Sequence, residues 1–412
     1  MVIFGWIYTV IAILLMRSAC PEWITNIGIV LLFMTSPRTF SLSDFDYELP
    51  ESRIAQKPAD PRDHSRLLVY NQRDKSITDD IFLHLPKYLP EKSVLVINNS
   101  RVERARLVFG KKEVFITRVL DPHTVEAMIR PGRAFRKGRR LTLVPEEPDN
   151  PAVAETPENT LATGAAGTSA AGPIQAEVLD ITDDGLRILR FNYPVNDPVF
   201  EPFKRTPFPP YIRPDETLAD RYQTVYARDE GSKAAPTAGL HFTERLFSSL
   251  SQKSIETIEL TLHVGLGTFA PVKSERIDEH KMHSEWFRIT DEAAEQLNRA
   301  RHITAVGTTS ARVLESAAEG RHAVHTPMGT EPSDTFRFRR FRAMEGETDI
   351  FITPGYRFRA VDALITNFHL PKSTLLMMIA AFTGIDEMHR IYEHAIRQKY
   401  RFYSFGDAML LL

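Results

Sequence analysis

Residues 234–243 read AAPTAGLHFT: small side chains and a proline, then one imidazole, His241. Side chains this small bury little apolar area, so the stretch is not built to fill a core. Bare backbone suits close approach of a ligand, with Gly239 the position that admits it. His241 is then delivered to the ligand, just before a helix capped by Thr243. An imidazole is the side chain that exchanges a proton near neutral pH. A second imidazole, His263, lies in IETIELTLHV (255–264). There Ile258, Leu260, Leu262 and Val264 share one strand face and Glu259, Thr261 and His263 the other, so His263 is either exposed or in a site. The same strand ends in Gly265, Gly267 and Thr268. With Pro271 following instead of a helix, these are a weak phosphate loop or only a bulge.

Other polar groups gather where apolar runs stop. In VGTTSARVLES (306–316), Thr308, Thr309 and Ser310 precede a helix whose amides are suited to an anion. Arg312 is expected in its first turn, where the helix dipole disfavours a cation; a bound carboxylate or phosphate accounts for it, and a solvated arginine is the plain alternative. DEHKMHSEWF (278–287) brings His280, His283 and Glu285 together, the last two on one strand face. They are too few for a metal site at recognisable spacing, and a polar network around a ligand suits them better. ITNFHLPKST (365–374) puts Asn367 and His369 at a strand end, with Ser373 and Thr374 as caps. YRFYSFGDAM (400–409) sets Tyr403 and its aromatic neighbours beside Asp407, which suits a cation or a purine as well as plain packing. RPGRAFRKGRR (130–140) concentrates Arg130, Arg133, Arg136, Lys137, Arg139 and Arg140 around one Phe, and FRFRRFR (336–342) alternates Arg with Phe. Both patterns suit phosphates and stacked bases, and charged strand edges are the alternative.

The elements that carry these groups fall into two textures. From Arg101 to about Arg190, short β-type runs separated by Gly, Pro and Asp turns predict a small antiparallel barrel or sandwich. Within it, 146–174 is rich in Pro, Ala, Gly and Thr and predicts a mobile loop. Beyond the Pro-rich 202–216, strand–turn–helix units at 303–320 and 361–384 predict a partly parallel sheet, with ligands at the carboxyl ends of its strands. The net charge of −2 gives no global polycation, so nucleic acid would have to use a local patch. A single cysteine, Cys20, excludes an internal disulfide and a thiolate metal cage. The first 33 residues hold an uncharged run, Val2–Met16, shorter than the about 20 residues of a comfortable membrane span and lacking a basic segment before it. They are expected to lie outside the native fold, with translation starting at Met34; a membrane anchor is the alternative.

The blocks FDYELPESRIAQKPADPRDHSRLLV, VINNSRVERARL, AAPTAGLHF, TLHVGLGTF, HKMHSE, AVGTTSARVLES, PGYRFRAVDALITNFHLPKSTL and YRFYSFGDAM occur in this order over residues 42 to 409. Together they resemble the S-adenosylmethionine:tRNA ribosyltransferase-isomerase family of queuosine biosynthesis. The resemblance implies an α/β domain with strand–loop–helix units over 34–100 and 203–412, interrupted by an inserted small antiparallel β-barrel domain over 101–202. It implies that the ribosyl part of S-adenosylmethionine moves to the aminomethyl group of 7-aminomethyl-7-deazaguanine in a tRNA anticodon loop. Adenine and methionine leave, and the product is epoxyqueuosine. S-adenosylmethionine is consumed, and no metal or other cofactor is implied. A cytoplasmic monomer with tRNA as partner and no membrane is expected. The base that takes the C5′ proton is sought among His241, His263, His283 and Asp407. Glu285 or Asp362 would accept from the attacking amine. Thr308, Thr309, Ser310 and Arg312 would hold the methionine carboxylate. Gly239, Gly265, Gly267, Thr268, Asn367, His369 and Tyr403 complete the expected substrate site. The leader, a long 146–174 loop and a long 321–347 insertion are departures from the family pattern that touch none of these blocks. A noncatalytic RNA-binding protein is the rival reading.

The basic cluster gives a direct test. Neutralising Arg133, Arg136, Arg139 and Arg140 together is expected to weaken tRNA binding and flatten its salt dependence, by roughly 0.7 to 0.9 in log–log slope per lost phosphate contact. Affinity for S-adenosylmethionine should hardly change. An unchanged slope would assign the cluster to structure.

Overall fold

The structure, a computed structural model, describes residues 40–144, 172–265, 267, 272, 274–319 and 339–412. The 1–33 leader, nearly all of the 146–174 stretch, Thr268 and the first part of FRFRRFR lie outside the described residues. Strands β1 (Arg66–Tyr70), β2 (Ile77–Ile81), β3 (Val94–Asn98) and β4 (Ser100–Val102) come first. The chain then enters a separate sheet with β5 (Arg106–Phe109), β6 (Lys112–Val119), β7 (Thr124–Arg130), β8 (Arg140–Leu143), β9 (Ile174–Ile181), β10 (Arg187–Phe191) and β11 (Lys204–Arg205). After β12 (Asp229–Ser232) it returns through α1 (Glu244–Gln252), β13 (Glu256–Leu262), β14 (Glu285–Ile289), α2 (Asp291–Arg299), β15 (Ile303–Val306) and α3 (Gly307–Ala317). It ends with β16 (Met344–Thr348), β17 (Ala363–Asn367), α4 (Thr374–Thr383), α5 (Ile385–Arg397) and β18 (Ala408–Leu411).

The main sheet has the order β16-β14-β13-β3-β15-β17-β18-β1-β2. Its centre, β13-β3-β15-β17, is parallel, and the flanking pairs are antiparallel except β18 with β1. Successive side chains of β3 explain the layering: Val94 and Val96 enter one core, Leu95 and Ile97 another. A strand buried on both faces needs cover on both sides. Leu297 of α2, Leu314 of α3, Met378 of α4 and Ile391 of α5 pack in the first core, and Leu246 and Leu250 of α1 in the second. Ile258, Leu260, Leu262 and Val264 all join the first core, as their spacing predicts. Thr243 caps α1 by accepting from the Leu246 amide, and Ser373 caps α4 by accepting from Leu376.

The separate sheet is antiparallel, in the order β11-β5-β6-β7-β10-β9-β8. Leu107 and Phe109 near one edge and Leu141 and Leu143 at the other share one core, so the sheet curls. Its edges are not hydrogen-bonded to each other, so among the described residues the expected barrel is open. One edge is β11, only two residues long and paired to β5, and the other is β8, paired to β9.

Between β16 and β17 the chain is fixed by one carboxylate. Glu315 of α3 is fully buried and accepts from the Tyr356 hydroxyl (2.9 Å) and the amides of Arg359 (2.8 Å), Ala360 (2.9 Å) and Val361 (3.0 Å). Glu315→Ala would orphan three amides at once, so the unfolding free energy should fall by about 3 kcal/mol or more. Glu315→Gln should restore only part, because its NH2 meets donors. Denaturant titration checks this; a loss under about 1 kcal/mol would show that the segment is held otherwise.

Candidate active site

A cavity opens at the carboxyl ends of the parallel strands. Val264 follows β13, Gly307, Thr308 and Thr309 follow β15, Thr366 and Asn367 end β17, and Phe368 to Leu370 follow it. Ala234 to Ala238 form another wall, so most of the bare stretch does face the cavity, and Tyr211, Tyr403 and Ser404 close it. Gly239 does not line it. A Cβ there would strike the Tyr226 hydroxyl and come within 2.8 Å of the Thr224 methyl. The glycine makes room for the protein's own side chains, which corrects the expectation that a ligand lies against it.

The turn from β15 into α3 passes through Gly307 at φ +87°, the left-handed region that favours glycine. The cap position is Val306, and no side chain caps the helix. Ser310 instead donates back to the Val306 carbonyl (2.8 Å), and the Thr309 hydroxyl has no protein partner. The expected hydroxyl cap is therefore missing, which leaves the first-turn amides of α3 without a side-chain acceptor. Arg312 is the sixth helical residue and lies in the second turn, not the first.

Asn367 is 2% exposed. Its Nδ2 donates to the Tyr403 carbonyl (3.3 Å) and to Nε2 of His241 (3.1 Å). The carbonyl only accepts, so it sets the amide orientation, and Oδ1 is left buried without a protein partner. Tyr403 presents that carbonyl from a left-handed backbone, φ +69°. Because Nε2 of His241 accepts, its Nδ1 carries the proton and donates to the Ser65 hydroxyl (2.7 Å). The Phe82 ring lies 5.0 Å from the imidazole, centroid to centroid. Burial, then the charges of Arg401 and Arg62, lower the His241 pKa to about 3. His241 thus stands behind Asn367, neutral, and off the cavity wall. His369 does line the cavity. Its Nε2 pairs with the Thr366 hydroxyl (2.8 Å), and burial lowers its pKa to about 3.

A second, smaller cavity shares Leu375 with the first. Gly267, His280, Met282, His283, Glu285 and Arg312 surround it. Here the expected cluster of His280, His283 and Glu285 does assemble. The ring of His283 packs where a Cβ on Gly267 would be. Arg312 and Glu285, each 5% exposed, form an ion pair. Glu285 also accepts from the Gly265 amide (2.8 Å), and Arg312 donates to the Thr348 carbonyl (3.1 Å). The charge of Arg312 is therefore met by a protein carboxylate.

The remaining candidates lie elsewhere. His263 points away from Val264 and stacks on Trp286, 4.9 Å between centroids. Asp407 is 1% exposed and accepts from the Arg66 amide (3.1 Å), the Arg401 amide (2.8 Å) and the Arg401 guanidinium (3.1 Å), so its carboxylate is saturated as a loop clamp. Asp362 precedes β17 and is bound to the Ile303 amide (2.8 Å) and Arg339 (2.7 Å). A five-residue strand separates it from the cavity by roughly 15 Å, which removes it from the site. Arg130, Arg133, Arg136, Lys137, Arg139 and Arg140 are exposed on the inserted sheet, with Lys137 paired to Asp180 (2.7 Å) and Arg140 to Glu177 (3.6 Å). Ser65 and Phe82, which fix His241, carried no signal in the sequence. Among the described residues no group of three or more His, Cys, Asp or Glu could hold a metal ion, and no helix is long and apolar enough to cross a membrane.

Parallel strands whose ends carry uncapped helix amides, an orphaned amide oxygen and buried imidazoles, with a curled antiparallel sheet inserted in the chain, define an α/β protein with a cavity at its strand ends. The family described as queuosine biosynthesis protein matches residues 42–411, and the chain belongs to it. An S-adenosylmethionine:tRNA ribosyltransferase-isomerase of Desulfitobacterium hafniense is 43% identical over 90% of this chain and 99% of its own length. One from Ralstonia pickettii is 44% identical over 90% and 94%. A crystal structure of S-adenosylmethionine tRNA ribosyltransferase from Thermotoga maritima is 32% identical, covers 90% of this chain and all of its own, and superposes with a TM-score of 0.46.

The buried imidazole makes stability depend on pH. The folded pKa of His241, about 3, lies below the usual 6.5. The unfolded chain therefore binds the extra proton, and this contribution is complete above about pH 6.5 and lost as pH falls toward 3. Between about pH 5.5 and 4 the unfolding free energy of His241→Gln should fall less steeply than that of the parent, by about 1.4 kcal/mol per pH unit. Equal slopes would show that His241 charges freely in the folded protein.

Proposed function

We propose that the chain transfers and isomerises the ribosyl moiety of S-adenosylmethionine onto 7-aminomethyl-7-deazaguanine in a tRNA anticodon loop, giving epoxyqueuosine-tRNA with release of adenine and methionine. One observation carries this reading: four segments far apart in sequence, 234–238, 307–309, 366–370 and 403–404, converge on one strand-end cavity, and all lie within the span that the family matches. The uncapped start of α3, with the Thr309 hydroxyl, supports a carboxylate there, and the methionyl carboxylate is the anion of this substrate. S-adenosylmethionine is the consumed substrate, and no resident cofactor is invoked. The exposed arginines of the inserted sheet are the cations we assign to tRNA. A cytoplasmic monomer suffices for this chemistry. A noncatalytic RNA-binding protein would have no use for the two cavities.

Leu375 borders both cavities, which supports a sulfonium lying between them. His283 would then take the C5′ proton from the second cavity, and His369 would orient the ligand in the first. Glu285, already bound to Arg312, would polarise the attacking amine.

The test is turnover with the full chain, S-adenosylmethionine and tRNA carrying the aminomethyl base. Adenine and methionine should appear one for each epoxyqueuosine formed. His283→Ala should lower kcat roughly 10²–10⁴-fold with little change in S-adenosylmethionine affinity. His369→Ala should act mainly on affinity. Absence of adenine release in the parent chain would overturn the assignment, and a larger kcat loss in His369→Ala would exchange the two roles.

A further inference from the structure

The strongest unexplained group in the first cavity is the Asn367 side-chain oxygen. Asn367 is 2% exposed, and Oδ1 is buried with no protein partner. A buried acceptor left empty costs about 1–3 kcal/mol, so its retention points to a donor that arrives with the ligand. The amide does not rotate to escape this. Its Nδ2 is committed to the Tyr403 carbonyl and to Nε2 of His241, and a flipped amide would set oxygen against oxygen at Tyr403.

What Asn367 faces identifies the donor. β15 and β17 are parallel neighbours, with Val306 opposite Ile365. Just beyond that pair, where β15 turns into α3, the Gly307–Thr309 turn and Asn367 line the same cavity, within roughly one to two strand spacings, ~5–10 Å, of each other. One end of the pair is suited to an anion and the other is an acceptor. A ligand that puts a carboxylate on the α3 amides and an N–H on Asn367 within that spacing must carry both groups close together. An α-amino acid does; a purine amino group is too far from any anion of the same ligand. We infer that Asn367 reads the α-ammonium of the methionyl part of S-adenosylmethionine, and that His241 is the residue that holds Asn367 in the reading orientation. This inference rests on S-adenosylmethionine being the occupant of the cavity.

The test separates the two claims by equilibrium binding without tRNA, using S-adenosylmethionine, its analogue lacking the α-amino group, and its analogue with hydrogen in place of the adenine amino group. Binding of S-adenosylmethionine by the parent chain tests the occupant. The parent should bind S-adenosylmethionine about 10- to 150-fold tighter than the analogue lacking the α-amino group. Asn367→Ala should erase that ratio and leave the ratio for the adenine-modified analogue as it was. His241→Ala should shrink the ratio, and His241→Gln, whose side-chain oxygen still accepts from Asn367, should restore part of it. If Asn367→Ala does not fold, the parent chain decides. Its affinity for S-adenosylmethionine should fall above about pH 8, where an α-ammonium loses its proton, while affinity for the analogue lacking that group stays level. Equal loss of both methionyl ligands in Asn367→Ala, a changed adenine ratio, or parallel pH profiles would each overturn the assignment.

Discussion

Phe82 covers one face of the His241 ring and Ser65 takes its Nδ1 proton, so Nε2 remains a bare acceptor pointed at Asn367. The second core, with Phe82 and Phe242 packed edge to face beside α1, keeps water from this ring. Desolvation disfavours the charged form, and the neutral tautomer is the one that accepts. Charging His241 would set a ring proton against the Asn367 amide, release Oδ1 from its position and disturb the contact with Tyr403. The chemistry of the cavity wall thus depends on packing from the other side of the strand ends.

Buried carboxylates follow the same economy of partners. Glu315 meets three amides and a phenol, Asp407 two amides and a guanidinium, and Glu285 an amide and Arg312. A buried ion is tolerated where hydrogen bonds replace its water, and removing one partner is far costlier than the pair is favourable. These acids tie the segments that flank the cavities, and none of the three lines the first one. Its polar groups are instead neutral: hydroxyls, a side-chain amide, imidazole and helix amides.

Much of this was legible in the sequence because period and turn chemistry are local. Alternation placed Ile258, Leu260, Leu262 and Val264 on a core face, strand–turn–helix patterns located β15 with α3 and β17 with α4, and a cavity does open at their carboxyl ends. What failed was non-local. Nothing near Gly239 announces Tyr226, whose ring fills the space the glycine leaves. The ionic partner of Arg312 is Glu285, on a strand whose distance from α3 no spacing rule supplies. The first turn of α3 was misjudged for a local reason: Thr308 to Ser310 look like caps, but the left-handed Gly307 already belongs to the helix and shifts its start by one to three residues. Asp362 and Asn367 sit in one short segment, and only the strand direction tells which of them reaches the cavity.

Strand-end geometry also bears on where a proton can go. A sulfonium is a cationic acid, so burying it favours loss of the neighbouring proton, as burial favours loss of a proton from any cation. Transfer to an imidazole only moves the positive charge, and the gain survives only if the imidazolium is better solvated than the sulfonium was. His369 is 8% exposed and its charged form is penalised by the same burial that would act on the ligand. His283 is exposed at the rim of the second cavity, where water reaches the ring. Glu285 lies two residues along from His283 and borders the same cavity, though its charge is already engaged by Arg312. Under the function we propose, this difference in solvation suits the dry imidazole to orienting the ligand through hydrogen bonds and leaves the wet one as the proposed acceptor of the proton.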